Sequence, residues 1–260
     1  MKLEGSQRRN VHHRKIHEDV TSLLLEDIRS GVYQIGQELP SERALMQEFG
    51  VGRPAIRESM AKLARMGVVE IRPGMRTRVC PVSIAPLLEE MDGAVKMSLL
   101  TPAGQRHMQQ IRLLFEVGVG RLVAKQITNE QMQMLEAFQR ECELCLHDPV
   151  KFADLDVKFH RMLGEATQNP FITAVYDAFG KWLLQQRLTN NSNNPERTTV
   201  ALSAHQKILD ALRTRDPDLV EEALYAHLSD VQNHFWAVME KNRLPTPAET
   251  RSPSPEANTE

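Results

Sequence analysis

Cysteine is scarce. Three residues, Cys80, Cys142 and Cys145, build no disulfide framework, which fits a reducing compartment. No apolar run approaches the roughly 20 residues of a membrane span, and no secretory leader pattern opens the chain, so a cytoplasmic location with no membrane partner is expected. Neither sign of charge dominates, with 32 Lys and Arg against 34 Asp and Glu. Beyond residue 86 there is no convincing strand-like alternation, only helical periodicity.

What is present is unevenly distributed. At 260 residues the chain suits one large domain or two ordinary ones, and 41% hydrophobic content suffices for a packed core. Met1–Val82 holds 14 Lys and Arg against 10 Asp and Glu, a balance of +4, and the remainder holds 18 against 24, a balance of −6. A basic front and an acidic rear separate a polyanion-binding part from something else. Five segments are expected: a flexible basic arm over 1–14, a winged helix-turn-helix over 15–80, a linker over 81–86, an all-helical domain over 87–242 and a disordered tail over 243–260. The arm and the tail are assigned from their polar, charge-rich or Pro/Ser/Thr/Glu-rich composition.

The most informative stretch is LPSERALMQEFGVGRPAIRESMAKLARMGVVEIRPGMRTRV, Leu39–Val79. Ser41 is a good helix N-cap, Gly50 a helix stop and Pro54 a first-turn proline. Ala44, Leu45, Met46 and Phe49 give one apolar stripe, and Ile56, Met60, Leu63 and Ala64 give another. Helices joined by so short a glycine-containing turn must cross steeply. Val68, Val69 and Ile71 then read as a strand, Pro73-Gly74 as a turn, and Thr77–Val79 as the return strand. Arg53 and Arg57 share one face at the start of the second helix, where free N–H groups and the positive dipole end also favour an anion. Arg43 comes from the helix before, and Arg72, Arg76 and Arg78 surround the hairpin tip. Such a set suits a major groove and the adjoining backbone or minor groove.

This stretch resembles the winged-helix domain of GntR-type bacterial transcription regulators. The resemblance implies DNA contacts by Arg43, Arg53 and Arg57, with Gly74 at the wing tip near the minor groove. Pro54 and Arg76 join the DNA-binding set, and Glu42 and Glu58 are expected to position arginines by ion pairing. Many members carry Ser or Thr where this chain has Gly52 and Pro54. Gly-Arg-Pro is similar instead to the branch that contains sialic-acid regulators.

The rear is read as helices over Leu87–Leu100, Gln105–Gln126, Asn129–His147, Val150–Gln168, Phe171–Leu188, Arg197–Arg213 and Asp218–Lys241, with a polar loop from Asn190 to Pro195. Asp156 and His160 are four apart and so share a helix face. His205 and His227 lie almost symmetrically about the Arg215–Asp218 turn, which brings both imidazoles to one level if the flanking helices fold back on each other. All four interrupt apolar stripes: Phe152, Leu155, Phe159 and Leu163; Ile208 and Leu212; Leu224 and Leu228. Three neutral imidazoles and a carboxylate suit Zn²⁺, Ni²⁺ or another borderline divalent cation, and hydrogen-bonded core histidines fit the spacing too. Cys142-x-x-Cys145 continues an apolar stripe with Met132, Leu135 and Phe138, so it reads as core rather than redox site, and Met134 and Met162 read as core or interface filler.

DVKFHRML, AHQKIL and AHLSDV resemble the FCD, or FadR-like, effector domain that often follows a GntR winged helix. The resemblance spans about Met108 to Trp236. It implies a metal held by Asp156, His160, His205 and His227, zinc foremost with nickel or manganese as alternatives, and an effector carboxylate met by Arg112. An Arg112–Glu116 surface pair is the other reading of that arginine. Gly118 and Gly120 imply either close helix contact or room for a ligand.

The expectation is a mainly α protein and a non-enzyme. It would be a homodimeric, nucleoid-associated repressor of a carbohydrate or organic-acid operon, binding operator DNA and responding to a small carboxylate such as a sialic or other sugar acid. A metal-dependent hydrolase or lyase using the His₃Asp set, and a constitutive DNA-binding protein with structural histidines, are the alternatives.

Overall fold

The computed structural model describes residues 16–191 and 195–241. The expected arm over 1–14, the tail over 243–260 and the central part of the Asn190–Pro195 loop lie outside the described residues. The chain divides into two compact units, Met1–Gly93 and Ala94–Glu260.

The first unit contains α1 (Ile16–Arg29), α2 (Glu42–Phe49), α3 (Arg53–Arg65), β1 (Val69–Glu70) and β2 (Arg78–Val79). Its core gathers Val20, Leu24, Leu39, Leu45, Ile56, Met60, Leu63, Val68, Val69 and Val79. The Ser41 hydroxyl accepts from Ala44 N–H at 3.2 Å and starts α2. Gly50 ends α2 in the left-handed region at φ 62°, so the chain reverses at once into α3. Gly52 caps α3 without a side-chain bond, and Pro54 sits in its first turn. β1 and β2 pair antiparallel, Val69 with Val79 and Glu70 with Arg78. Ile71 lies outside the pairing and is exposed. The sheet gains a contact that the apolar pattern does not announce: Glu38 bridges to Arg78, and Leu39 N–H donates to Thr77 O at 2.8 Å.

The division between the units falls within α4 (Ala85–Leu99), after Gly93; residues 80–84 form neither helix nor strand. The second unit continues with α5 (Pro102–Gln126), α6 (Asn129–Glu143), α7 (Pro149–Ala166), α8 (Pro170–Trp182), α9 (Leu184–Asn191), α10 (Pro195–Thr214) and α11 (Pro217–Lys241). Thr101, Thr128, Asp148 and Asn169 cap α5 to α8 with side-chain oxygens. Every apolar residue named above as flanking the Asp/His set is buried, and all but Leu228 belong to one core. Cys142 and Cys145 belong to that core, and burial pushes the Cys142 thiol up to about 12, which leaves no reactive thiolate. Met132 and Met162 pack against the core, whereas Met134 is exposed.

Two helix assignments differ from expectation. The single helix expected over Phe171–Leu188 is two, broken at Leu183, whose backbone lies at φ −102°, ψ 7°. No glycine or proline marks the break. Leu183 is buried there, and the restart turns Gln186 and Arg187 inward. The helix expected to reach His147 ends at Glu143, where the chain tightens into the three-residue steps Cys142–Cys145 and Cys145–Asp148. α9 also runs on to Asn191, past the expected start of the polar loop. Gly120 settles as a close helix contact: a Cβ there would lie 2.1 Å from Leu224 Cδ1 on α11, whereas one at Gly118 would meet nothing.

Candidate functional site

Two sets of charged residues stand apart from ordinary surface and core. In the first unit, Arg43, Arg53, Pro54, Arg57, Gly74 and Arg76 are all exposed. Gly74 turns the wing tip with φ 74°, and Met75 N–H donates to Arg72 O at 3.1 Å across it. Glu42 does hold an arginine, accepting from Arg53 Nε at 2.8 Å across the α2–α3 turn. Glu58 does not: its carboxylate lies 2.8 Å from His17 Nδ1 on α1, because Glu58 directly follows Arg57 and so points about 100° away from it round α3. Arg43, Arg57 and Arg76 have no ion-pair partner among the described residues. Three guanidinium groups and the uncapped start of α3 are thus presented to solvent.

In the second unit the order is reversed, and charge is buried. Asp156 and His160 on α7, His205 on α10 and His227 on α11 each offer a ligand atom within 4.8 Å of all the others, and all four residues are buried. Asp156 Oδ1 lies 3.3 Å from His205 Nε2 and 3.9 Å from His160 Nε2. His160 Nε2 lies 3.3 Å from His227 Nε2. Donors about 2.1 Å from a tetrahedral ion sit about 3.4 Å apart, so these separations fit a divalent cation without rearrangement of the helices. Arg215 makes the α10–α11 turn in the left-handed region at φ 58°. It returns α11 along α10, bringing the His205 and His227 ring centroids to 4.9 Å.

The groups around the four residues hold them in ligand form. Glu116 Oε2 lies 2.5 Å from His160 Nδ1, and Glu116 Oε1 accepts from Arg112 Nε at 2.5 Å. Burial alone would raise the Glu116 carboxyl. The charge of Arg112 and the contact with His160 outweigh it and hold the carboxyl far below its ordinary range. Ionised Glu116 can only accept, so this contact calls for an N–H at Nδ1 of His160, while Nε2 faces the cluster. Asp156 is ionised as well: burial opposes its charge, but the nearby His205, at 3.3 Å, with His160 and Arg187, outweighs it and holds the carboxyl well below its ordinary range. Arg187 Nε donates to Asp156 Oδ2 at 2.9 Å, which leaves Oδ1 facing the imidazoles. Burial lowers the His205 and His227 pKa values, so both rings are neutral at pH 7. Phe159 stacks on His205 at 4.0 Å.

All four residues expected to ligate come together. Arg112 forms the pair with Glu116, but 4% and 1% exposed rather than at the surface. Glu116 and Arg187 escaped notice as parts of the centre. A weak signal existed for Glu116, which is four residues beyond Arg112 and so shares its face. None existed for Arg187, which is buried on the short helix that follows the break at Leu183. An open cleft of about 950 Å³ between α10 and α11, lined by Ala204, Lys207, Ala211, Ala223 and Ala226, reaches His227.

Residues 16–79 match the family described as bacterial regulatory proteins, gntR family, and residues 107–230 match the FCD domain, enclosing the whole buried cluster. The HTH-type transcriptional repressor NanR of Salmonella newport (strain SL254) is 37% identical over 238 residues, covering 91% of this chain and 92% of that protein. Its counterpart of the same name from Salmonella typhi is also 37% identical, covering 91% and 90%. Among solved structures, Streptococcus agalactiae GntR superposes with a TM-score of 0.58 at 28% identity, over 84% of this chain and 99% of that one. No described helix is long and apolar enough to cross a membrane.

Proposed function

We propose, given that this chain belongs to the GntR family of bacterial regulatory proteins and carries an FCD domain, that it is a transcription repressor. In this reading its operator affinity is set by a small acid bound at a metal centre in the helical domain. The single observation that carries the effector half is the convergence of Asp156, His160, His205 and His227 from three helices inside the core. These residues would hold a divalent cation, zinc foremost, which there supplies an anchor for a carboxylate. The chain's own part is to orient His160 through Glu116, to hold the Asp156 carboxylate through Arg187, and to exclude bulk water from the set. The relatives are regulators, and nothing favours the hydrolase or lyase alternative.

The exposed arginines support the DNA half. Arg53, steadied by Glu42, and Arg57 would enter a major groove with Pro54 at the helix start. Arg43 would meet the backbone, and Gly74 and Arg76 would approach the minor groove from the wing. Two such heads on a homodimer would read paired half-sites. The effector would act by binding one arrangement of the heads better than another. The protein would work in the cytoplasm, on its operator in the nucleoid, and a sialic or other sugar acid is the effector class that the NanR relatives' kinship favours.

The test is a gel shift of the full chain on DNA from upstream of its own gene and the genes beside it. Zinc would be present, with and without N-acetylneuraminate and a panel of sugar acids. Binding released by one acid is expected; binding that no acid alters would favour the constitutive alternative.

A further inference from the structure

A second, smaller cavity lies in the helical unit, apart from the Asp/His cluster. It holds about 500 Å³, within the range of small-molecule sites. The end of α4, the start of α5, the α8–α9 junction and the end of α11 form its walls. Leu99, Trp182, Leu183, Phe235 and Met239 make those walls mostly apolar. The four cluster residues, Arg112 and Glu116 do not border it. On α5 it meets Gln105, seven residues and about 10 Å before Arg112. On α11 it meets Phe235, eight residues and about 12 Å past His227. Gln186 borders it too, and directly precedes Arg187, so it points about 100° away from that residue round α9.

Two polar atoms in this apolar setting are left over. Gln186 is 9% exposed, and its Nε2 is buried with no hydrogen-bond partner among the described residues. Gln105 donates from Nε2 to Leu99 O at 2.8 Å, which fixes its amide and leaves Oε1 buried without a partner. A buried donor or acceptor left unpaired is costly, and a ligand that pairs it recovers that cost. One spare donor and one spare acceptor call for the complementary pair. A carboxylate offers only acceptors and an ammonium only donors, whereas an uncharged amide offers one of each. Lys96 and Lys181 also border the cavity but are exposed, so its buried end selects by hydrogen bonding rather than by charge.

We propose that this cavity is a second small-molecule site, one that takes a hydrocarbon chain or ring carrying a neutral amide. The ligand's C=O accepts from Gln186 Nε2, its N–H donates to Gln105 Oε1, and its apolar part lies against Trp182, Phe235 and Met239. The site uses no metal, so it stands independently of the Asp/His centre.

The experiment titrates the full-length protein with hexanamide, hexanoate and hexylamine, which share one chain length, and reads binding by saturation-transfer NMR. Hexanamide is expected to bind saturably. The other two should bind at least about fivefold more weakly, because each leaves one buried atom unpaired. Gln186→Leu is expected to keep its helical circular dichroism and lose about 5–100-fold in hexanamide affinity. Gln105→Met should lose a similar factor, and it carries the test if Gln186→Leu does not fold. Removal of divalent metal with a chelator should leave hexanamide binding unchanged. A wild type that binds no hexanamide, or binds hexanoate as tightly, would overturn the proposal. Full hexanamide affinity in a folded variant would overturn it too. Loss of hexanamide on chelation would move the amide to the metal centre and end the second site. A chain that holds no metal yet binds hexanamide selectively would uphold this site and sink the metal-centre reading alone.

Discussion

The arginines of the two units are used in opposite ways. Arg43, Arg57 and Arg76 of the winged unit are exposed and without ion-pair partners, whereas Arg112 and Arg187 of the helical unit are buried and each bound to a carboxylate. An exposed guanidinium keeps its hydration and needs no partner, so the fold can hold it ready for an external polyanion. A buried one must be paired, and the pairing fixes the partner in turn. In the helical unit that partner is Glu116, which lies against His160, or Asp156, a member of the proposed ligand set. One residue type thus stands free at the surface of the first unit and serves as scaffolding inside the second.

The sharpest way to break this comparison is to remove one imidazole. His205→Ala should lower metal affinity well beyond the roughly 10–100-fold cost of losing an outer partner, abolish the effector response and leave basal DNA binding intact. Unchanged metal stoichiometry by elemental analysis would take His205 out of the centre. Glu116→Gln tests the scaffolding role one step back. An amide cannot hold the His160 proton as a carboxylate does, so metal affinity should fall about 10–100-fold by competition with a chelator. A fall of less than about threefold would reduce Glu116 to core packing.

The winged unit should answer independently. Arg53→Ala is expected to weaken operator binding by about 1–3 kcal/mol while metal content stays the same. Equal affinity in a gel shift would contradict the recognition-helix assignment. Packing separates the units further. Gly120→Ala puts a methyl against Leu224 and should cost about 1–3 kcal/mol by thermal melting, with DNA contacts untouched. A neutral result would mean that the Leu224 side chain turns aside to make room.

The smallest effect concerns pH. Burial lowers the His205 and His227 pKa values below the ordinary 6.5. The stability they contribute is therefore complete above about 6.5 and is lost as pH falls below it toward their depressed values. Metal-free protein should melt lower at about pH 5.5 than at about pH 7.5. His227→Leu should flatten that dependence. A wild-type melting temperature independent of pH would show that these rings are not held neutral.

Local chemistry made much of this molecule readable before its structure was known. The Ser41 cap, the Gly50 stop and the Pro54 first turn each act within a few residues, so the α2–α3 unit followed from spacing alone. The Asp156–His160 pair needed only the helical repeat. His205 and His227 needed one more assumption, that the Arg215 turn folds two helices back on each other. What escaped depends on distant packing. The break at Leu183 has no glycine or proline at it, and the burial of Arg187 against Asp156 depends on contacts 31 residues apart. Glu58 answers to His17, 41 residues earlier, rather than to a neighbouring arginine. The Glu38–Arg78 bridge likewise joins segments whose pairing no apolar alternation marks.

The most direct test of the central claim is X-ray absorption at the zinc edge of the full-length, zinc-loaded protein. Three imidazole nitrogens and one oxygen at about 2.0–2.1 Å are expected, with the multiple-scattering signature of histidine. Sulfur at about 2.3 Å, or a shell without histidine, would show that zinc binds elsewhere and that the buried Asp/His cluster is not a metal centre.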